Sequence, residues 1–209
     1  DLGVPLNKNV RMILVTDEET GFRDIHWYYD RPPYAPYTIS PDADFPIINI
    51  EKGHYQPTFT AGWPAVTVLP RVYSLTGGPR LNMVPPKAQA LVLGPTPQDI
   101  QAVCDTLYLE PNITFTLTQQ ENGVRILCSG VAAHGSTPEE GHNAQTALVS
   151  LLAALPLADA PSTLAIRNLA ALFPHGDFTG EALGISQSDD LSGHLSLAFT
   201  RISLDYTGL

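Results

Sequence analysis

Basic residues and cysteines are scarce in this chain, and long apolar runs are missing. Eleven Lys and Arg stand against 21 Asp and Glu, giving a formal net charge of −10 over 209 residues. That balance excludes a nucleic-acid binder, because neutralising phosphates needs clustered cations. The two cysteines, Cys104 and Cys128, make no disulfide framework. Cys104 falls in a helical pattern and Cys128 in a strand pattern, so free, buried thiols are expected. No apolar stretch approaches the roughly 20 residues that span a bilayer. The N-terminal residues do not read as a signal peptide, and a cytoplasmic location without membrane contact is expected.

What is present describes a soluble globular protein. Apolar residues make up 44% of the chain, and the mean hydropathy is near zero. The length suffices for one large or two ordinary domains with a full core. Nineteen prolines are many, but they sit between periodic runs and so punctuate folded elements. There is no internal repeat and no low-complexity tract.

The first 50 residues read β-α-loop-β. Val10-Arg11-Met12-Ile13-Leu14-Val15 is short, branched and free of Gly and Pro, the pattern of a buried strand. Phe22, Ile25 and Tyr29 mark a short helix, which Pro32-Pro33 ends. Residues 40–46 form a loop, and Ile47-Ile48-Asn49-Ile50 reads as another buried strand. From about residue 51 the texture changes. Strands are expected near 65–75, 87–93, 113–118 and 124–128, with Asn122-Gly123 as the hairpin turn between the last two. Thr96-Pro97-Gln98-Asp99 opens a helix with Ile100, Val103, Cys104 and Leu107 on one face. A second helix follows Thr137-Pro138 and a third spans about 162–173. The alternation from His194 to Ile202 predicts a last strand. Together these predict a fragment of an α/β domain over 1–50, then an α+β domain over 51–209 with helices packed on one face of a sheet.

Two stretches could carry chemistry. Asp17-Glu18-Glu19-Thr20 follows the first predicted strand, and open α/β sheets bind ligands beyond the carboxyl ends of their strands. Adjacent carboxylates can divide labour, one holding a metal and one moving protons; a solvated acidic turn is the alternative. Asp42 and Asp44 lie 23 to 25 residues on, where a β-α-β unit returns to the same sheet edge. Asp42 could face Glu19 there, or simply close the turn after Pro41. The second stretch is Ala133-His134-Gly135-Ser136-Thr137-Pro138, which sets an imidazole in a tight turn beside a helix start. Such a place favours anions or developing oxyanions, although a hydrogen-bonded structural His is the alternative. His26, His54, His142, His175 and His194 show no ligand-like pairing and are read as structural.

These stretches also carry a family resemblance. Thr16-Asp17-Glu18-Glu19-Thr20-Gly21, Ser40-Pro41-Asp42-Ala43-Asp44-Phe45-Pro46 and Glu51-Lys52-Gly53 resemble the zinc-dependent dipeptidases of the peptidase V type. That type belongs to the aminoacylase/carboxypeptidase/desuccinylase group of co-catalytic zinc hydrolases. Leu81-Asn82-Met83-Val84-Pro85, the run from Ala133 to Ala144, and Thr179-Gly180-Glu181-Ala182-Leu183-Gly184-Ile185 resemble it too, in the same order along the chain.

The resemblance implies roles. Glu18 would be the general base, Glu19 would ligate one zinc and Asp42 the other, while Asp44 matches a position that is not a ligand. Asn82 and His134 would reach over the substrate from a lid domain, Asn82 binding its polar end or backbone and His134 stabilising the oxyanion. The implied substrate is a dipeptide or related N-acyl amino acid, the cofactor two zinc ions in the complete parent protein, and a homodimer could form through the lid.

The sequence departs from the family as well. No His-x-Asp stands among the 17 residues before Glu18, and no final His ligand or lid arginine is found. The expectation is therefore an internal piece of a metallopeptidase, short of metal ligands and inactive alone. The rival expectation is a non-catalytic binding or dimerisation module derived from the lid.

Overall fold

The computed structural model describes residues 3, 5–18, 21–42 and 46–209. These fall into two compact units, Asp1–Asn49 and Ile50–Leu209.

The first unit has one helix, α1 (Arg23–Tyr29). It begins after Phe22, which adopts a left-handed backbone (φ 55°), and buries none of its residues. Polar contacts hold it instead. Asp24 accepts from the Thr16 N–H at 2.7 Å, and Arg11 Nη1 donates to the Tyr28 hydroxyl at 2.7 Å. Arg31 lies over the Trp27 ring at 4.1 Å. Residues 10–15 and 47–50 form no strand, contrary to the sequence pattern: Met12 and Leu14 are 82% and 86% exposed. Apolar content makes a strand only where a neighbouring ladder takes up its N–H and C=O groups, and neither stretch has one among the described residues.

The second unit is built on a five-stranded antiparallel sheet. Its strands are β1 (Arg71–Gly77), β3 (Lys87–Leu93), β4 (Thr114–Gln120), β5 (Gly123–Ser129) and β9 (Ile202–Asp205), in spatial order β4-β5-β3-β1-β9. The shorter strands β2 (Met83–Val84) and β6 (Ala133–His134) pair with each other, as do β7 (Ser188–Asp189) and β8 (Gly193–His194). The register lines Leu117, Ile126, Ala90, Leu75 and Leu204 across all five long strands, and Phe115, Cys128, Ala88, Gly77 and Ile202 in a parallel row. Because side chains alternate between faces, these rows form one apolar surface, while Lys87, Gln89 and Arg125 stay exposed.

Three helices cover the apolar surface: α2 (Pro97–Cys104), α3 (Ala144–Ala154) and α4 (Pro161–Leu172). Helix α3 is the central one, with Leu148, Leu151 and Leu152 fully buried; each contributes about 1.5–3 kcal/mol of burial. Helix α2 starts as its sequence reads. Thr96 Oγ1 accepts from the Asp99 N–H at 3.2 Å, while Asp99 Oδ2 accepts from the Thr96 N–H at 2.9 Å. Cys128 is buried in the core, and burial pushes its thiol up to about 12, so it is inert at neutral pH; Cys104 is half-buried, and both are free.

Four local readings shift. The strand expected near 65–75 begins only after Pro70, which has no N–H for the ladder. In the β4–β5 hairpin Gln120 pairs with Gly123, so Glu121 and Asn122 make the turn. Gly123 is needed for packing: a Cβ there would sit 2.3 Å from the Val92 carbonyl oxygen. After Thr137-Pro138 comes only a short 3-10 turn, Pro138–Glu140; α3 itself waits for Asn143, whose Oδ1 accepts from Gln145 and Thr146 N–H at 3.0 and 3.2 Å. The alternating run from His194 gives ladder only at Gly193–His194 and from Ile202 onward. Between them the Phe199 carbonyl accepts from the side chains of Asn143 and Gln145 instead of a neighbouring strand.

Candidate functional site

The best-defined polar site is made by the small β2–β6 pair. Met83 is in register with His134 and Val84 with Ala133, which sets Asn82, just ahead of β2, beside the turn that leaves β6. The Gly135 N–H donates to the Asn82 carbonyl at 2.7 Å. Only glycine fits this approach comfortably, since a Cβ on residue 135 would lie 3.1 Å from that oxygen and 3.2 Å from its carbon. The Thr137 N–H then closes the turn on the His134 carbonyl at 3.1 Å. Within the turn, His134 Nδ1 lies 2.7 Å from Ser136 Oγ and accepts from the Ser136 N–H at 3.3 Å. The His134 side chain is exposed, and Asn82 is half-buried.

The rest of the stretch holds this turn in place. Val131 and His142 exchange backbone hydrogen bonds at 3.0 and 2.9 Å, and the Ala144 N–H donates to the Pro85 carbonyl at 3.0 Å. Asn143 caps α3 with its oxygen and donates through Nδ2 to the Phe199 carbonyl at 3.0 Å. An exposed imidazole and an asparagine thus sit on a frame tied to the core helix. The arrangement can present hydrogen-bond donors to a polar or anionic group.

Two further histidines have structural partners. His142 Nε2 lies 3.1 Å from Asn112 Nδ2. His175 is clasped by Glu110 Oε2 at 2.7 Å through Nε2 and by Thr146 Oγ1 at 2.8 Å through Nδ1. Burial works against the charge on Glu110, but its own backbone N–H and the His175 ring outweigh it and hold the carboxyl below its ordinary range. The Asp177 carboxylate is likewise lowered despite burial, because it accepts backbone N–H bonds from Ala182, Gly180, Thr179 and Glu181. It organises the turn over residues 179–182.

The acidic turn lies in the first unit. Asp17 forms a two-point ion pair with Arg23, Oδ2 to Nε at 2.7 Å and Oδ1 to Nη2 at 3.2 Å, which fastens Asp17 to the start of α1. Its hydrogen bond and charge also raise the Arg23 pKa. Glu18 beside it is exposed, as is Asp42 in the later loop. Glu19 and Asp44 lie outside the described residues. Among the described residues no group of three or more His, Cys, Asp or Glu side chains is gathered to hold a metal. Asp42 is an oxygen donor suited to a divalent cation, but the described donor set does not make a zinc site on its own. No described helix is long and apolar enough to cross a membrane.

Of the sequence candidates, then, the structure brings the Asn82 carbonyl to the turn that follows His134. Ser136 and the Glu110–His175–Thr146 chain were not singled out from the sequence. Ser136 had a signal, a hydroxyl two residues after His in a glycine turn. Glu110 and His175 had none, being 65 residues apart.

No family model matches the chain. It is similar over nearly its whole length to proteins named as dipeptidases. It is 34% identical over 205 residues to "Putative dipeptidase YtjP" of Bacillus subtilis (strain 168), covering 94% of this chain and 42% of that protein. It is 26% identical over 208 residues to the Beta-Ala-Xaa dipeptidase of Lactobacillus delbrueckii subsp. lactis, covering 100% of this chain and 44% of that protein. A Staphylococcus aureus (strain bovine RF122 / ET3-1) protein named in the same way as the first is 29% identical over 211 residues, covering 98% of this chain and 44% of its own. The chain spans less than half the length of the curated relatives it matches.

Proposed function

We propose that this chain is part of a zinc-dependent dipeptidase, contributing an acidic corner of the catalytic domain and most of a lid that closes over the substrate. The observation that supports the reading is the β2–β6 pair, which brings the Asn82 main chain against the glycine turn that follows His134, on a frame fixed to α3. The names of the relatives support a dipeptide as the substrate class.

The division of roles is the one the family resemblance implies, and the side-chain chemistry is compatible with it. Glu18, an exposed carboxylate, is the proton acceptor. Glu19 and Asp42 are oxygen ligands, with the remaining ligands supplied from outside this chain. Zinc in such a site supplies a water of lowered pKa and a Lewis acid. Asn82 binds the polar backbone of the substrate, and His134 donates a hydrogen bond to the oxygen on which charge develops.

The test is hydrolysis of dipeptides by the full-length protein, with zinc measured in it and in the 209-residue chain. Glu18→Ala is expected to remove turnover and leave the metal content of the full-length protein unchanged. A full-length protein that holds zinc yet cleaves no dipeptide or N-acyl amino acid would defeat the enzyme reading. Stoichiometric, tightly held zinc in the 209-residue chain would defeat the assignment of the missing ligands to other parts of the protein.

A further inference from the structure

We infer that Ser136 is a positioning residue that fixes the His134 imidazole in a single tautomer, with the proton on Nε2. A backbone N–H can only donate, and the Ser136 N–H faces His134 Nδ1 at 3.3 Å. In the neutral ring this contact favours the lone pair on Nδ1, because a proton there would point at another proton, but at 3.3 Å it is too long to hold the ring by itself. The Ser136 hydroxyl, 2.7 Å from the same nitrogen, is then also a donor, and by its shorter distance it is the stronger holder. The turn makes both contacts available. Its closure by Thr137 N–H on the His134 carbonyl, and the anchoring of Gly135 on the Asn82 carbonyl, bring residue 136 back toward the ring of residue 134.

The consequence is that every neutral His134 carries its N–H on Nε2. This matters for a donor that meets a developing oxyanion. The other tautomer would present a lone pair to negative charge, so a mixture of tautomers lowers the fraction of competent molecules and weakens the stabilisation. The catalytic consequence rests on the dipeptidase reading, whereas the tautomer is a property of the folded turn alone.

The test joins nitrogen NMR to kinetics on the full-length protein labelled with 15N-histidine, the His134 signals being assigned with His134→Gln. At mildly alkaline pH the wild-type ring should show a pyridine-type Nδ1 and a pyrrole-type Nε2. Ser136→Ala should move both signals toward the averaged values of a tautomer mixture, and Ser136→Thr should restore them. In turnover, Ser136→Ala should lower kcat about tenfold with KM nearly unchanged, less than the 10²–10³ typical of deleting an oxyanion donor outright. A wild-type ring protonated on Nδ1, a Ser136→Ala ring that keeps the single Nε2–H tautomer, or an active Ser136→Ala enzyme with unchanged kcat would each overturn the inference. Absence of turnover in the wild-type protein would defeat the dipeptidase reading alone, since the NMR pattern decides the positioning of the ring separately.

Discussion

The two units treat their apolar residues in opposite ways. In Ile50–Leu209, Leu75, Ile100, Ile126, Leu148, Leu151 and Leu152 are fully buried, and a cross-strand row of apolar side chains meets three helices. In Asp1–Asn49 no described residue is buried, and Val10, Met12, Leu14, Ile39 and Ile47 are largely exposed although they are as apolar as any core residue. The second unit satisfies its hydrophobic pattern by packing. The first is held by the Asp17–Arg23 pair, the Thr16–Asp24 contact and aromatic contacts around α1. Exposed polar contacts of that kind contribute little net stability each, so the pattern of a sequence and the burial it achieves are separate facts.

The largest expected effect probes that contrast directly. Leu151→Ala in α3 should destabilise the second unit by about 2–5 kcal/mol, the cost of a cavity in a close-packed core, whereas Leu14→Ala should stay within about 0.5 kcal/mol. Urea unfolding followed by far-UV circular dichroism reads both. Equal losses at the two positions would erase the distinction between the units.

Next comes the site. His134→Ala in the full-length protein should lower kcat by about 10²–10³, as the loss of one oxyanion donor does, while leaving the unfolding midpoint where it was because the ring is exposed. A lowered midpoint with unchanged kcat would return His134 to a structural role and place the chemistry of the second unit elsewhere.

The smallest effect is electrostatic and belongs to the packed unit. Glu110 has its carboxyl held below the ordinary range, so its contribution is present above the unfolded carboxylate pKa and is lost as pH falls through that value to the lower folded one. Glu110→Gln should flatten the acid limb of a stability-versus-pH curve for this chain. An acid limb of undiminished slope would show that the His175–Glu110 contact adds nothing to the stability of the unit.

Legibility from the sequence followed the range of the interactions. The cap of α2 was readable because Thr96, Pro97 and Asp99 act on one another within a single turn. Strands β3, β4 and β5 were readable because alternation reports a half-buried face, and the register then follows from keeping that face inward. His134 could be singled out from its turn, and Asn82 only through the resemblance. Their adjacency could not be seen from composition, because the 50-odd residues between them return only through the β2–β6 pairing. The strands expected at 10–15 and 47–50 failed for the same reason in reverse, since a strand needs partners that no local pattern supplies.

By itself, the sequence determined the start of α2, the strands β3, β4 and β5, the acidic surplus and the two polar stretches, all consequences of composition or of contacts within a few residues. Tertiary structure alone decided three things: that Asn82 meets the Gly135 turn, that Glu110 clasps His175, and that Gly123 is required by the passing Val92 carbonyl. Each depends on segments distant in the chain arriving within hydrogen-bond or van der Waals reach, through the β2–β6 pairing, the packing around α3 and the β3–β5 pairing respectively.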